Sequence, residues 1–368
     1  MKTVRRLIYG EVIGSIAFVT LGFLSLFFFF DVVDELSYVR GKASSGYQLV
    51  DALRYVALQV PNHLYELLPI TVLIGTIFVM ARLAQSSEFT ILRTSGLGPW
   101  RALRVLLTLG LGLVLLTFMV GDYLAPMADR NAQLLKARFQ GRISIGQTGA
   151  WLKERQAYSQ FAVNVRALAP DASMRDVHIF EFDNQGLLIS MTVAEQARFA
   201  HDEAWLLQQA ERTEFAARGT DAAHVERQKL DSFRWPTSIS AEMVSAAALK
   251  PERMSTIDLF QYIRHLDANA QSAQRYEIEF WRKVFYPLSC LVMVVLALPF
   301  AYLHFRSAGI ATYVFGGVMA GISFFLLNNL FGYIGNLNHW WPWLTAALPG
   351  IIYSMVSLSA FGWLVLRR

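Results

Sequence analysis

Three groups of residues in this chain have the types and spacing to do chemistry or to recognise a charged partner. The first is the run Ser86-Ser87-Glu88-Phe89-Thr90-Ile91-Leu92-Arg93-Thr94-Ser95-Gly96. It reads as a short helix over about 86–96: a serine caps it, Glu88 sits in the first turn where the helix dipole favours an anion, and Gly96 ends it. Gly98-Pro99 prevents continuation. Phe89, Ile91 and Leu92 are conspicuous apolar groups on so short a segment, and two readings stand level: a partner surface covers them, or they pack back on neighbouring helices. The second group is His63 and Glu66, three residues apart on one helix face. That spacing places two metal ligands together, although a site needs more of them; the alternative is a hydrogen-bonded pair at a membrane boundary. The third is the acidic set Asp31, Asp34, Glu35, Glu66 and Asp122, all near the ends of apolar segments. Charges deep in a bilayer are costly and mark function, but these lie shallow enough to reach water.

The sequence carries no signature of catalysis. GxxxxGK[ST] is absent; the nearest fragment, Gly41-Lys42-Ala43, has Leu36 where the upstream glycine belongs and no hydroxyl after the lysine. HExxH and GxSxG are absent too. The expectation is a chain with no cofactor and no catalysis of its own.

The elements that must position these residues follow from hydropathy. Of 368 residues, 54% are hydrophobic and 17% charged, against about 25% charged in average soluble domains. Long uncharged stretches lie at both ends and the middle reads like a soluble domain, so the order is membrane, insert, membrane. The net charge of +5 is modest and its basic residues are scattered, which marks juxtamembrane Lys and Arg and no nucleic-acid footprint. The single cysteine, Cys290, lies in an apolar run and reads as a small buried hydrophobe.

Six spans are expected: Val12 to Phe30, about Leu64 to Met80, about Leu103 to Gly121, Val284 to Phe305, about Ala308 to Gly332 and about Pro342 to Leu366. Each is near the ~20 residues that a crossing helix needs. The first follows Lys2, Arg5 and Arg6 but ends in Phe27-Phe28-Phe29-Phe30-Asp31 without a small-residue cleavage pattern, so it is a retained helix rather than a signal peptide. Orientation follows from short loops. Lys2, Arg5, Arg6, Arg82, Arg93, Arg101, Arg104, Arg306, Arg367 and Arg368 fall on one side, with only Glu11 and Glu88 nearby. Both termini are therefore expected in the cytoplasm and the insert outside. Arg282 and Lys283, just before the fourth span, run against this bias. Trp340, Trp341 and Trp343 read as an interfacial aromatic belt.

Within the insert, from about Gly141 to Ser238, short alternating runs appear at Ala157 to Val165, Asp176 to Phe182, Leu187 to Phe199, Trp205 to Ala210 and Val225 to Phe233. Turn residues such as Asp183-Asn184-Gln185-Gly186 separate several of them, which predicts an antiparallel sandwich or open roll of about eight strands. Met127 to Phe139 extends the third span outward as a helix with Arg130, Lys136 and Arg138. Ser255 to Leu266 reads as an amphipathic helix capped by Ser255, and Ala268 to Gln274 lead into the fourth span. The domain boundaries are 1–140, 141–250 and 251–368.

With this layout the chain resembles the YjgP/YjgQ-type (LptF/LptG) permeases of lipopolysaccharide export over nearly its full length. The likeness rests on Leu83-Ala84-Gln85-Ser86-Ser87-Glu88 through Ser95-Gly96, on Gly121-Asp122-Tyr123-Leu124-Ala125-Pro126, and on Trp281-Arg282-Lys283-Val284-Phe285-Tyr286-Pro287-Leu288-Ser289. Val33-Asp34-Glu35-Leu36 and Phe325-Leu326-Leu327-Asn328-Asn329-Leu330-Phe331-Gly332 look closer to the LptG side of the family.

The resemblance implies a six-helix inner-membrane protein of a Gram-negative bacterium whose inserted periplasmic domain is a β-jellyroll. It implies an LptF-like permease partner, two copies of an LptB-like ATPase that bind the ATP, and an LptC-like partner that receives the lipid. Lipopolysaccharide would enter sideways between the first and fifth spans. The loop helix would be the coupling helix, with the family's glutamate at Glu88 and with Phe89, Leu92 and Arg93 beside it. Lipid phosphates would meet Lys136, with Arg40, Lys42, Arg130 and Arg138 nearby. Four departures stand out: Gln133 and Asp31 occupy family positions that are basic, and Ser37 and Tyr38 stand where the family has lysines. Two other classes remain: a membrane-anchored periplasmic binding or scaffold protein without transport, and an intramembrane enzyme using His63 and Glu66.

Overall fold

The computed structural model describes residues 2–41, 47–96, 98–140, 143–144, 149–169, 171, 173–200, 203–215, 225–240, 243–244, 251–302 and 309–363. Lys42, Arg306, Arg367 and Arg368 lie outside the described residues, as do the side chains of Lys2, Tyr38, Arg40 and Arg138. The chain divides into two units: 1–37, 56–128 and 274–368 form one, and 38–55 with 129–273 form the other.

The first unit is helical. The chain runs through α1 (Lys2–Gly41), α2 (Leu49–Gln85), α3 (Glu88–Thr94) and α4 (Pro99–Met119), a π-turn (Val120–Leu124) and α5 (Ala125–Gln140). Of these, 38–41 of α1, 49–55 of α2 and 129–140 of α5 fall in the second unit. After the second unit come α7 (Gln274–Phe285), α8 (Ser289–Ala297), a 3-10 turn (Leu298–Tyr302), α9 (Ile310–Leu337) and α10 (Pro342–Phe361). Helices α1, α2, α4 with its extension, α9 and α10 are each long and apolar enough to cross a membrane. Helices α7 and α8 form a bent pair that adds a sixth crossing if counted as one span.

The bend is 46° and falls just inside the start of the fourth span, which the sequence places at Val284. Pro287 lacks an N–H and its ring presses on the preceding turn, which breaks the helix there. The helix also begins earlier, at Gln274, so Arg282 and Lys283 lie within it and not in a loop. Helix α2 is the centre of the unit: 83% of its apolar window is buried, against 11% for α1 and 17% for α9. Close approach explains part of this, because a Cβ on Gly75 of α2 would lie 2.8 Å from the Ile16 backbone of α1. Cys290 is fully buried, 3.2 Å from the Thr117 hydroxyl. Trp341 and Trp343 stack at 6.3 Å and stay exposed.

The second unit is built on an antiparallel sheet of β1 (Ile143–Ser144), β2 (Ala150–Arg155), β3 (Gln160–Leu168), β4 (Met174–Phe182), β5 (Leu188–Ala200), β6 (Ala204–Phe215) and β7 (Val225–Pro236). Strands β1 and β2 share one edge of β3, and from β2 to β7 each strand pairs with the next in sequence. Among the described residues the pairing is thus a meander. The Asp183 turn forms as expected: its carboxylate accepts from the N–H groups of Gln185 and Leu187 at 2.8 Å, and Gly186 takes φ +81°. Ile179, Val163, Leu207 and Trp205 form the buried face, with Trp205 against Trp235 at 5.3 Å. Helix α6 (Thr256–Ala268) begins in a capping box between Ser255 and Asp258, which satisfies two otherwise orphaned N–H groups.

Candidate functional site

Helix α3 is about two amphipathic turns with its apolar side seated. Phe89 is buried at 4% exposure, its ring 5.1 Å from that of Tyr302 at the end of the bent pair. Leu92 packs partly against the same core. Arg93 lies over the Tyr302 ring at 5.8 Å and is otherwise exposed. Glu88 and Ile91 face outward, Ile91 at 62% exposure. The two open readings therefore divide by residue: Phe89 and, in part, Leu92 pack back, and Ile91 does not. The cap differs from expectation. Ser87 holds the N-cap position in a left-handed conformation (φ 60°) and its side chain makes no capping bond. The far end is as expected: Gly96 takes φ +100°, and its carbonyl accepts from Arg101 at 3.0 Å. Near this end of the unit Arg82 pairs with Glu11 at 2.6 Å, tying α2 to α1.

The residues expected at lipid phosphates separate into two sets. Arg130, Gln133 and Lys136 share α5. The Lys136 ammonium sits 3.9 Å from the centre of the Tyr55 ring, a cation–π contact. The Gln133 amide donates to Asp129 at 2.8 Å, and Asp129 also accepts from Arg253 at 2.5 Å. Arg130 is exposed, 3.9 Å from the Asp258 carboxylate. Asp31 belongs to the helical unit and meets the His63 imidazole at 2.7 Å, with the Phe27 ring tilted against that imidazole at 5.0 Å. The Ser37 hydroxyl donates back to the Val33 carbonyl at 3.5 Å. His63 thus pairs with Asp31 and not with Glu66, whose backbone carbonyl accepts from the Tyr286 hydroxyl at 2.6 Å. Among the described residues no three His, Cys, Asp or Glu groups gather as a metal site.

Sequence reasoning saw in Arg282 and Lys283 an exception to the charge bias and gave them no role. Arg282 pairs with Glu279 at 2.8 Å and donates to the Asn328 carbonyl. Lys283, 7% exposed, donates to the Gly121 carbonyl at 2.8 Å. Their signal was two cations one turn ahead of an apolar helix that also contains a proline.

Comparison with known proteins decides the family. A model of the family described as "Lipopolysaccharide export system permease LptF/LptG" matches residues 6–367. The chain belongs to the LptF/LptG family. It is 26% identical over 362 residues to the lipopolysaccharide export system permease protein LptG of Escherichia coli (strain K12), covering 97% of each chain. It is 27% identical over 372 residues to the LptG of Haemophilus influenzae, covering 100% of this chain and 99% of the relative. Both likenesses run the full length, so helices, α3 and insert all fall within the LptF/LptG family match.

Proposed function

We propose that this chain is an LptG-type permease subunit of a lipopolysaccharide exporter in the inner membrane, driven by ATP that a separate LptB-like ATPase binds. In this reading six spans put both termini in the cytoplasm and the sheet unit, as a β-jellyroll, in the periplasm; the distribution of basic residues over the short loops supports it. Helix α3 is the ATPase-coupling element. The observation that carries this is its division of labour: Phe89 seats the helix against Tyr302 while Glu88, Ile91 and Arg93 stay at the surface. A short helix held by one buried aromatic can pass a push on its outer face to the bent pair beneath it. Glu88 supplies an anion for a basic group of the ATPase, and Ile91 an apolar contact. Lys136 and Arg130 on α5, with Arg40, Lys42 and Arg138, supply cations for lipid phosphates. An LptF-like permease and an LptC-like acceptor complete the assembly.

Glu88→Lys tests the coupling role in cells that carry no second copy. The expected outcome is lipid transport at least about ten-fold down with accumulation and assembly unchanged. Transport at the parent rate would contradict the assignment. Co-purification with mass spectrometry of bound proteins and lipids tests the partners, and a chain that isolates alone would favour an anchored scaffold instead.

A further inference from the structure

Two of the stretches that carry the family resemblance, Gly121 to Pro126 and Trp281 to Ser289, are used by nothing above, and in the helical unit they meet. In the π-turn the Ala125 N–H bonds the Val120 carbonyl, five residues back. In an unbroken α-helix that N–H would serve the Gly121 carbonyl. The next candidate donor is position 126, which is proline and has no N–H. The sequence therefore leaves the Gly121 carbonyl without a donor from its own helix. The Lys283 ammonium takes that place at 2.8 Å. It reaches in from the last turn before the Pro287 break and lies 5.8 Å from the centre of the Tyr65 ring. Gly121 is itself pressed on that ring, where a Cβ would overlap it. Tyr65, Gly121, Asp122, Lys283 and Pro287 line one narrow crevice.

A neutral donor would satisfy one carbonyl. An ammonium brings a full charge into a crevice that Asp122 also lines, and charges inside membrane-spanning segments are retained where they serve the mechanism. The alternative bond is at hand, because the Ala125 N–H can return to Gly121 and close a regular α-turn. That exchange would remove one residue's worth of offset and turn the stretch beyond it, from Ala125 to Ala128, about the helix axis by about 100°. Single π-turns inside α-helices occur frequently at functional sites.

We infer that Lys283 is a positioning residue: its ammonium on the Gly121 carbonyl holds the third apolar helix in its π-turn form, and so sets the rotation of that helix just beyond the turn.

The test is a distance measurement along one helix. Nitroxide labels at Leu111→Cys and Met127→Cys, both on exposed positions of the helical unit, bracket the turn; the native Cys290 is buried. The full chain in lipid nanodiscs is expected to give a single narrow distance. Lys283→Met is expected to shift it or add a second population, and Lys283→Arg to restore the parent distribution. Lys283→Gln, which keeps a donor without the charge, is expected to fall between. If Lys283→Met fails to accumulate, Lys283→Ser must show the second population instead. Parent-like distances in Lys283→Met or Lys283→Ser would overturn the inference. Failure of the transport reading would leave this measurement untouched, so the two are separable.

Discussion

In the helical unit the buried Lys283 leans on the Gly121 carbonyl, and the partly buried Arg282 on Glu279 and the Asn328 carbonyl. In the sheet unit the buried anion Glu154, 5% exposed, is met by donors from one loop: the Thr237 hydroxyl, and the Ser238 N–H and hydroxyl at 2.7 and 2.8 Å. The difference follows from what each scaffold leaves available. A regular membrane helix uses its own N–H and C=O groups. A carbonyl without a helical donor therefore arises where the helix is irregular, as at Gly121, while the Asn328 carbonyl inside α9 takes Arg282 on its second lone pair. A strand end leaves N–H groups and hydroxyls to spare. A charge in the helical unit is therefore tied to the course of a helix, while one in the sheet unit is tied to a loop that can yield.

Four substitutions break or sharpen this contrast. The largest effect is expected from Gly75→Val, because the added Cβ meets the Ile16 backbone, which cannot rotate away. Overpacking of this kind costs about 1–3 kcal/mol, here at the upper end, and thermal unfolding in detergent would register it as a lowered midpoint. Next is Glu154→Leu, which leaves the Ser238 N–H without its acceptor and is expected to cost the sheet unit about 1–3 kcal/mol. Because the loop can yield, spin-label distances in the helical unit are expected to stay at parent values; a change there would blur the contrast.

A smaller effect concerns His265 on α6. Burial holds its imidazole below the ordinary histidine range, against the opposing pull of the Glu154 charge. Its Nε2 has no hydrogen-bond partner among the described residues. As pH falls below about 6.5 the unfolded chain takes up the proton first. Stability is thus complete above that pH and declines as pH falls through the lowered folded value. His265→Gln is expected to flatten that slope in a pH series of unfolding midpoints. The smallest change is expected from Arg166→Ala, which removes an exposed 2.9 Å pair with Asp176 and is worth about 0–1 kcal/mol by denaturant titration.

Much of this architecture was legible in the sequence. Helix α6 with its Ser255 cap, the outward continuation of the third apolar helix through Met127, the Asp183 turn and five of the strands all appear where periodicity and turn chemistry put them. Strand β2 was missed because its inward positions are Ala150, Leu152 and Glu154. A buried glutamate spoils the alternation, and its partners lie more than eighty residues away. The break at Pro287 was missed because hydropathy alone does not register a proline inside an apolar run. The pairing of His63 with Asp31, not Glu66, depends on a contact between helices, which spacing along one helix cannot reveal. At α3 the sequence marked the right segment but left open which apolar groups were free. Only packing against Tyr302 separates Phe89 from Ile91.

The central claim is that this chain forms part of an ATP-driven route for lipopolysaccharide. Its most direct test is transfer of lipopolysaccharide from proteoliposomes to an acceptor protein, with the chain assembled with the subunits that co-purify with it. The account predicts transfer that requires ATP and falls at least about ten-fold with Glu88→Lys. An assembly that hydrolyses ATP and moves no lipopolysaccharide, or that moves it equally well with Glu88 reversed, would contradict it.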